Sequence, residues 1–170
     1  GTRGIGLATV KKFLENGAKV VLFGSRQESV DKALSQLKAE NPAWNVDGDW
    51  PDLNSGEAVR AAFAKIKDAY GKIDILVNNA GVSESTPITA YTEELFDKVM
   101  DLNVKGVFNA TRAVVDGMAR RGSGVILSTS SMVSITGQPS GMAYPTSKFA
   151  VNGLTVSLAR ELGPKGIRVN

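Results

Sequence analysis

The chain of 170 residues contains no cysteine and no histidine. Without cysteine there are no disulfide bonds and no thiolate nucleophiles, and without histidine there are no histidine-based triads and none of the usual zinc sites. We therefore expect no metal site. Acid–base chemistry in such a chain is most easily built from tyrosine, lysine, serine and asparagine.

An excess of charge of one sign is also missing. Lysine and arginine number 20 against 17 acidic residues, for a net charge of +3. This balance is too modest to indicate a nucleic-acid partner. The sequence shows neither a signal-peptide pattern nor an apolar run of membrane-spanning length, so we expect a cytoplasmic protein with no membrane partner.

Segments typical of helices and strands alternate along the chain. Helices are predicted near residues 4–16, 27–40, 55–70, 91–118 and 143–162. Strands are predicted near residues 18–24, 44–48, 73–78, 124–129 and 166–170. This alternation predicts an α/β fold with a parallel, doubly wound sheet, and the length suits one domain with a real core.

One pair of residues near the end of the chain indicates chemistry. Tyr144 and Lys148 stand four positions apart in Tyr-Pro-Thr-Ser-Lys, so a helix places them on one face. An ammonium beside a phenol stabilises the phenolate, and such a phenol can exchange a proton with a substrate oxygen. A simple surface contact between the two side chains is the alternative for an isolated match.

The chain opens with Gly-Thr-Arg-Gly-Ile-Gly, followed by a helical pattern of apolar residues. Backbone N–H groups at a helix N-terminus attract anions, and glycine allows phosphates to approach closely. The strand-like run at 18–23 would be the second strand of a βαβ unit, so the opening indicates a dinucleotide-binding turn. A tight turn without a ligand remains the alternative.

Two apolar runs end abruptly in polar residues. The first, at 75–77, ends in Asn78 and Asn79, and the second, at 124–127, ends in hydroxyl residues that include Ser131. Such transitions are typical of buried parallel strands whose carboxyl ends meet a ligand crevice. For Asn78, an amide that only satisfies backbone groups in a turn is equally compatible with the sequence.

With these motifs the chain resembles the short-chain dehydrogenase/reductase family along its whole length. Gly4 and Gly6 match the second and third glycines of the family motif T-G-x-x-x-G-x-G. Residues 78–81 match its N-N-A-G motif, and residues 166–170 match the strand that precedes its P-G motif. Ser131, Tyr144 and Lys148 match its serine and Y-x-x-x-K motif, and Asn103 matches its helix asparagine.

The resemblance implies a Rossmann-type fold with three α/β/α layers and a reaction between a carbonyl compound and an alcohol. It implies that Tyr144 exchanges the proton, that Lys148 holds the nicotinamide ribose, and that Ser131 binds the substrate oxygen. Asn103 would hold a water molecule that links Lys148 to solvent. The implied cofactor-binding residues are Thr2, Arg3, Gly4, Ile5, Gly6, Ser25, Arg26, Asp52, Leu53, Asn79, Ala80, Gly81, Tyr144 and Lys148. Asp49 is a rival to Asp52 for the adenine contact.

The residues after the first complete strand bear on the choice of cofactor. An acidic residue about 20 positions past the glycine turn selects NAD, whereas arginine there accommodates the 2′-phosphate of NADP. Arg26 occupies that place beside Ser25, and Arg3 stands within the turn. Glu28 is close in sequence but falls inside the next predicted helix. We therefore predict NADP(H).

The family pattern also implies a strand before residue 1, and a substrate lid and a last strand after residue 170, so we expect a portion of a longer protein. We expect a homo-oligomer, because the predicted helices 91–118 and 143–162 carry apolar residues beyond one face. These residues include Val114, Val115, Met118, Phe149, Val151, Leu154 and Val156.

Other functions remain open at this point. An epimerase or dehydratase of the extended branch would share the tyrosine and lysine but has a differently spaced glycine motif. A non-catalytic binding module on the same fold typically lacks one of the two residues. By analogy of motifs, the substrate is a 3-oxoacyl thioester or a steroid or bile-acid ketone.

Overall fold

The structure is a computed structural model that describes all residues from 1 to 170. Its α-helices are α1 (Gly4–Glu15), α2 (Gln27–Glu40), α3 (Gly56–Tyr70), α4 (Glu93–Met100), α5 (Gly106–Arg121), α6 (Val133–Thr136) and α7 (Ala143–Leu162). Its strands are β1 (Val20–Phe23), β2 (Val46–Asp49), β3 (Ile75–Asn78), β4 (Gly124–Ser128) and β5 (Ile167–Val169). A π-helix joins α4 to α5 at Asp101–Lys105, and 3₁₀-helices lie at Ile88–Ala90 and Gly163–Lys165.

Every predicted helix and strand is present, and α2 and α7 have the predicted bounds. Three short elements were not predicted, namely α6 and the 3₁₀-helices at Ile88–Ala90 and Gly163–Lys165. The predicted helix 91–118 is present as α4, the π-helix and α5 in direct succession. The extra residue in that π turn could not be anticipated from a helical pattern alone.

All paired strands are parallel, as the alternation of helices and strands predicts. They form two sheets rather than one, with strand orders β1-β2 and β3-β4-β5. In the larger sheet Asn78 is opposite Ser128, so the carboxyl ends of β3 and β4 lie side by side. This register brings the polar residues that follow the two strands to one edge of the sheet.

The chain divides into two compact units, of which the first is Gly1–Asp52. Its core is formed by one face of α1, one face of α2 and the strands β1 and β2. The buried residues of this core are Val10, Leu14, Leu22, Val30, Ala33, Leu37 and Val46. Gly24 admits α2 close to the strand, because a Cβ there would lie 2.6 Å from Val30 Cγ2.

The second unit is Leu53–Asn170. Ser55 is the N-cap of α3, where its hydroxyl accepts from Ala58 N–H at 3.2 Å, and the helix buries Val59 and Phe63. The central strand β4 contributes the buried Ile126, and α5 contributes Val114 and Met118. The single domain predicted for residues 1–170 stays a prediction.

None of the helices is both long enough and apolar enough to cross a lipid bilayer.

Candidate active site

The amides that follow β3 have different surroundings. Asn78 is buried, and its Nδ2 donates to Thr111 Oγ1 and to Ser128 Oγ, both at 3.3 Å. Asn79 is half-buried, and its Oδ1 accepts a hydrogen bond of 3.1 Å from Thr129 Oγ1. The side chain of Asn78 therefore joins β3 to α5 and β4, in agreement with its structural interpretation.

Tyr144 and Lys148 lie on the first turns of α7, as the sequence predicts. The Lys148 Nζ lies 5.7 Å from the centroid of the Tyr144 ring, within the range of a cation–π contact. Lys148 is only 5% exposed, and its Nζ donates to the Thr129 carbonyl oxygen at 2.7 Å. Burial lowers the pKa of Lys148 below its ordinary value.

The position of Lys148 depends on the end of β4. Thr129 follows that strand, and its backbone N–H donates to the Asn78 carbonyl oxygen at 2.9 Å. The Thr129 carbonyl oxygen thus accepts from the lysine, while its hydroxyl donates to Asn79. A lysine ammonium has three N–H donors, so two remain for a ligand after one is given to a carbonyl oxygen.

Ser131 is half-buried in the loop between β4 and α6. Its hydroxyl accepts a long hydrogen bond of 3.4 Å from Val133 N–H, and its carbonyl oxygen accepts from the Ser134 hydroxyl at 2.6 Å. Ser130 instead donates to Asn152 Oδ1 on α7 at 2.7 Å. Ser130 and Ser134 are therefore occupied in fixing the loop, while the Ser131 hydroxyl retains capacity to bind a substrate oxygen.

Asn103 lies in the π-helix and is 1% exposed. Its Oδ1 accepts from Val82 N–H at 2.8 Å, and its Nδ2 donates to the Val82 carbonyl oxygen and to Ser147 Oγ, both at 2.9 Å. Both amide protons are thus used within the protein. The side chain has a structural role, and the expected link from Asn103 through water to Lys148 stays a prediction.

Gly81 lies against two of these residues. A Cβ built on it would be 3.2 Å from Asn103 Oδ1 and 3.7 Å from Lys148 Nζ. The first distance is closer than most real Cβ contacts, so a larger residue would press on the asparagine. Asn79, Ala80 and Gly81 form the segment predicted to contact a cofactor, and Ala80 and Gly81 are exposed.

A cleft beside Tyr144 was not predicted from the sequence. Its lining residues are Ser83, Glu84, Ser85, Gln138, Pro139, Ser140 and Tyr144. Gln138 Nε2 donates to the carbonyl oxygens of Ser140 and Gly141, each at 2.6 Å, and to that of Glu84 at 3.3 Å. The glutamine therefore joins the loop after β3 to the loop before α7, 54 residues apart in sequence.

Glu84 itself holds the loop through its carboxylate. The Tyr91 hydroxyl donates to Oε1 in a short hydrogen bond, and Thr86 N–H donates to Oε2 at 2.7 Å. Burial acts to raise the pKa of Glu84, but the hydrogen bonds from Tyr91 and Thr86 outweigh it and hold this pKa below its usual range. Burial and the neighbouring carboxylate raise the pKa of Tyr91 to about 12.

In the first unit, α1 begins in the predicted glycine turn. Gly4 has φ of +53°, which favours glycine, and a Cβ there would meet open space. Arg3 is the N-cap residue and is exposed, yet its side chain makes no capping hydrogen bond. Thr2 is half-buried, Ile5 is 71% exposed, and Gly6 is buried.

The other candidates of the first unit lie at the start of α2 and after β2. Ser25 and Arg26 are both exposed. Arg26 Nε lies 3.9 Å from Glu28 Oε2, and both side chains are largely exposed. Asp52 is exposed at the end of this unit. Leu53 begins the second unit, where its carbonyl oxygen accepts from Asn109 Nδ2 at 2.8 Å.

Comparison with known proteins identifies the family. The model of the short chain dehydrogenase family matches residues 1–170. A 3α-hydroxysteroid dehydrogenase of Mediterraneibacter gnavus is 59% identical over 170 residues, which are all of this chain and 68% of that protein. A 3-oxoacyl-[acyl-carrier-protein] reductase of Thermotoga maritima is 36% identical over 98% of this chain and 67% of its own length.

Solved structures agree with this result. NAD⁺-bound xylitol dehydrogenase matches 99% of this chain and 65% of its own with a TM-score of 0.93 and 34% identity. A metagenomic short-chain oxidoreductase in complex with NADP matches 99% of this chain and 76% of its own, also with a TM-score of 0.93, at 30% identity. The chain thus spans about two thirds of most of these proteins, and the predicted Rossmann-type fold class is confirmed. The chain belongs to the short-chain dehydrogenase/reductase family and is a short-chain oxidoreductase.

Proposed function

We propose that the complete protein is an NADP(H)-dependent oxidoreductase that interconverts a steroid ketone and the corresponding secondary alcohol. The observation that carries this proposal is the placement of Lys148, which is buried beside the Tyr144 ring and held by the Thr129 carbonyl oxygen. A buried cation next to a phenol is an arrangement for proton transfer at a substrate oxygen. A non-catalytic module could use the lysine to hold a cofactor, but it would not need the phenol beside it.

The residues of the first unit fit a dinucleotide phosphate. The helix α1 has 12 residues, no side-chain cap at Arg3 and no acidic residue in its first turn. Its first N–H groups therefore have no side-chain acceptor, and such groups bind phosphate oxygens well. A Cβ built on Gly4 would meet nothing within 4 Å, so the start of this helix is open on that side.

A 2′-phosphate is supported by Arg3, Ser25 and Arg26. Both arginines are exposed, and a guanidinium binds phosphate oxygens in a bidentate manner. Glu28 competes for Arg26, but a pair of exposed side chains at 3.9 Å is weak. The solved relatives include an NAD⁺ complex and an NADP complex, so the preference rests on these residues of the chain.

A nicotinamide cofactor bound at this site would supply a hydride during reduction and accept one during oxidation. The Tyr144 hydroxyl gives its proton to the carbonyl oxygen during reduction and recovers it during oxidation. Lys148 has N–H donors beyond the one given to Thr129, and these would be available to hold the ribose hydroxyls of a bound nicotinamide cofactor. The Ser131 hydroxyl donates to the substrate oxygen and orients it toward Tyr144.

The substrate class rests on sequence similarity. The hydroxysteroid dehydrogenase is 59% identical to this chain, whereas the 3-oxoacyl reductase is 36% identical. A steroid ketone is accordingly the first candidate. A 3-oxoacyl thioester is the second candidate, because the 3-oxoacyl reductase is also a relative.

The test is a steady-state assay of the complete protein with NADPH or NADH. A 3-oxosteroid and a 3-oxoacyl thioester are the substrates, and loss of reduced nicotinamide is followed by absorbance. We expect the highest kcat/KM for the steroid with NADPH. A higher kcat/KM for the thioester selects the second substrate class, a higher value with NADH contradicts the cofactor choice, and no turnover of either ketone contradicts the proposed function.

We also propose that the complete protein is a homo-oligomer. Val114, Met118 and Val151 belong to the protein's own core and are no more than 2% exposed, so they offer nothing to a partner. Three large apolar residues of α5 and α7 remain exposed, namely Phe108, Phe149 and Val156. Their burial against a second copy would remove apolar surface from water.

A further inference from the structure

Ser147 lies between Tyr144 and Lys148 in sequence, and it is completely buried. Its Oγ accepts a hydrogen bond of 2.9 Å from Asn103 Nδ2 and donates one of 2.6 Å to the Tyr144 carbonyl oxygen. The hydroxyl thus uses its proton on the backbone of the candidate catalytic tyrosine. The same oxygen accepts the hydrogen bond from Asn103, which lies 44 positions earlier in the sequence.

The other end of this connection is equally well fixed. Asn103 makes both a donating and an accepting hydrogen bond with the backbone of Val82, at 2.9 and 2.8 Å. Val82 directly follows Gly81, which lies against Asn103 Oδ1 and Lys148 Nζ. One continuous set of buried and partly buried hydrogen bonds therefore runs from the loop after β3, through the π-helix, to the first turn of α7.

We infer that Ser147 is a positioning residue that fixes the Tyr144 backbone, and hence the tyrosine hydroxyl, relative to the loop after β3. The inference rests on the proposed function, because it concerns the placement of the proton donor. Two features support it. The hydrogen bond to a backbone carbonyl within the first turn of α7 acts on Tyr144 itself, and the partner is a saturated amide that cannot move without breaking three hydrogen bonds.

Removal of this hydroxyl leaves one Asn103 amide proton without its partner and takes from the Tyr144 carbonyl oxygen the hydrogen bond that it accepts from Ser147. The first turn of α7 is then less firmly fixed relative to the loop after β3. A displacement of a catalytic group by up to about 1 Å can lower the rate by up to about 100-fold. We expect Ser147→Ala to lower kcat by about 10- to 100-fold. We expect the dissociation constant for NADPH to change far less than kcat.

The experiment separates positioning from folding. The complete protein and its Ser147→Ala variant are compared using NADPH and NADPH deuterated at the transferred hydrogen, with kcat normalised to folded protein. A displaced proton donor slows the chemical step and therefore raises the deuterium isotope effect on kcat. Ser157→Ala is the matched control, because Ser157 is exposed on the same helix.

An unchanged isotope effect in Ser147→Ala, or a loss of kcat no larger than that of Ser157→Ala, overturns the inference. If the alanine variant does not fold, Ser147→Cys fills the same space with a weak donor, and the same increase in isotope effect is expected of it. An active wild-type protein with an unaffected variant defeats the inference alone. A wild-type protein without turnover defeats the proposed function instead.

Discussion

The Lys148 Nζ lies 5.7 Å from the centroid of the Tyr144 ring, and it is anchored there by the Thr129 carbonyl oxygen. If Tyr144 is the proton donor, Tyr144→Phe keeps the ring beside the ammonium and removes only the hydroxyl. We expect kcat to fall by about 10²- to 10⁴-fold while NADPH binding, measured by fluorescence, stays nearly unchanged. Tyr70→Phe, at the end of α3, is the control. Near wild-type turnover of Tyr144→Phe would show that Tyr144 is not the proton donor.

Lys148 also allows a test in which activity and stability separate. Lys148→Met removes a buried charge whose desolvation is unfavourable, and it also removes the hydrogen bond to the Thr129 carbonyl oxygen, at a cost of about 1–3 kcal/mol. The two effects oppose each other, so we expect turnover to be abolished while the free energy of unfolding at neutral pH changes little. Urea denaturation measures this, and a loss above about 2 kcal/mol contradicts it.

The pH dependence of that comparison has a definite sign. The pKa of Lys148 in the folded protein is below its unfolded value of about 10.4, so between the two values the unfolded chain binds more protons. The stability of wild type relative to Lys148→Met should therefore rise as the pH increases toward about 10. A difference in unfolding free energy that is independent of pH between neutral and alkaline buffer would contradict this expectation.

Arg3 and Arg26 are the residues on which the choice of NADP(H) depends. If they bind the 2′-phosphate, the double variant Arg3→Ala, Arg26→Ala loses most of its preference for NADPH, while kcat/KM with NADH changes little. Steady-state kinetics with both cofactors measure the ratio. Lys32→Ala removes an exposed cation from α2 as the control. A preference ratio that survives in the double variant shows that these arginines do not select the cofactor.

The pair formed by Tyr91 and Glu84 predicts a stability effect limited to a range of pH. The pKa of Glu84 is lowered and that of Tyr91 is raised to about 12, so their contribution is present above the unfolded pKa of glutamate and below that of tyrosine. The contribution of this hydrogen bond to the free energy of unfolding is lost as the pH falls through the lowered pKa of Glu84. It is also lost as the pH rises from about 10 toward 12, where Tyr91 ionises. Tyr91→Phe should therefore destabilise the protein most between these limits.

Denaturant titrations of wild type and Tyr91→Phe at acidic, neutral and strongly alkaline pH measure that difference. Equal destabilisation at all three values would show that the hydroxyl acts through packing alone. Glu84 lines the cleft beside Tyr144, so the variant should also change KM for the ketone more than KM for NADPH.

Phe149 is 51% exposed on α7, and it provides the test of assembly. We expect the complete protein to be a dimer or tetramer by light scattering at micromolar concentration, and Phe149→Ser to shift the mass toward the monomer. Ile88→Ser is the control, because Ile88 is 69% exposed but lies outside both long helices. A monomeric wild-type protein would argue against the assembly.

The extent of successful prediction differed between residues for physical reasons. The bounds of α2 and α7 were predicted because apolar residues recur at helical spacing along them, and the Tyr144–Lys148 pair was predicted because both residues share one turn. The short α6 was missed because its loop is held by Ser130, Ser134 and Asn152, which meet only in the folded chain. For the same reason no sequence pattern indicated the Asn103–Ser147 hydrogen bond or the cleft beside Glu84.

The π-helix at Asp101–Lys105 limits how this segment can vary in length. The wide π turn accommodates one residue more than an α-helical turn, and Asn103 lies within it. Deletion of one residue here would close the turn to an ordinary α-helical one, and Asn103 would no longer be held where it meets Val82. Single-residue deletions should therefore be tolerated in the loop at 83–87 more readily than between residues 101 and 105, because the second segment carries the asparagine that joins that loop to α7.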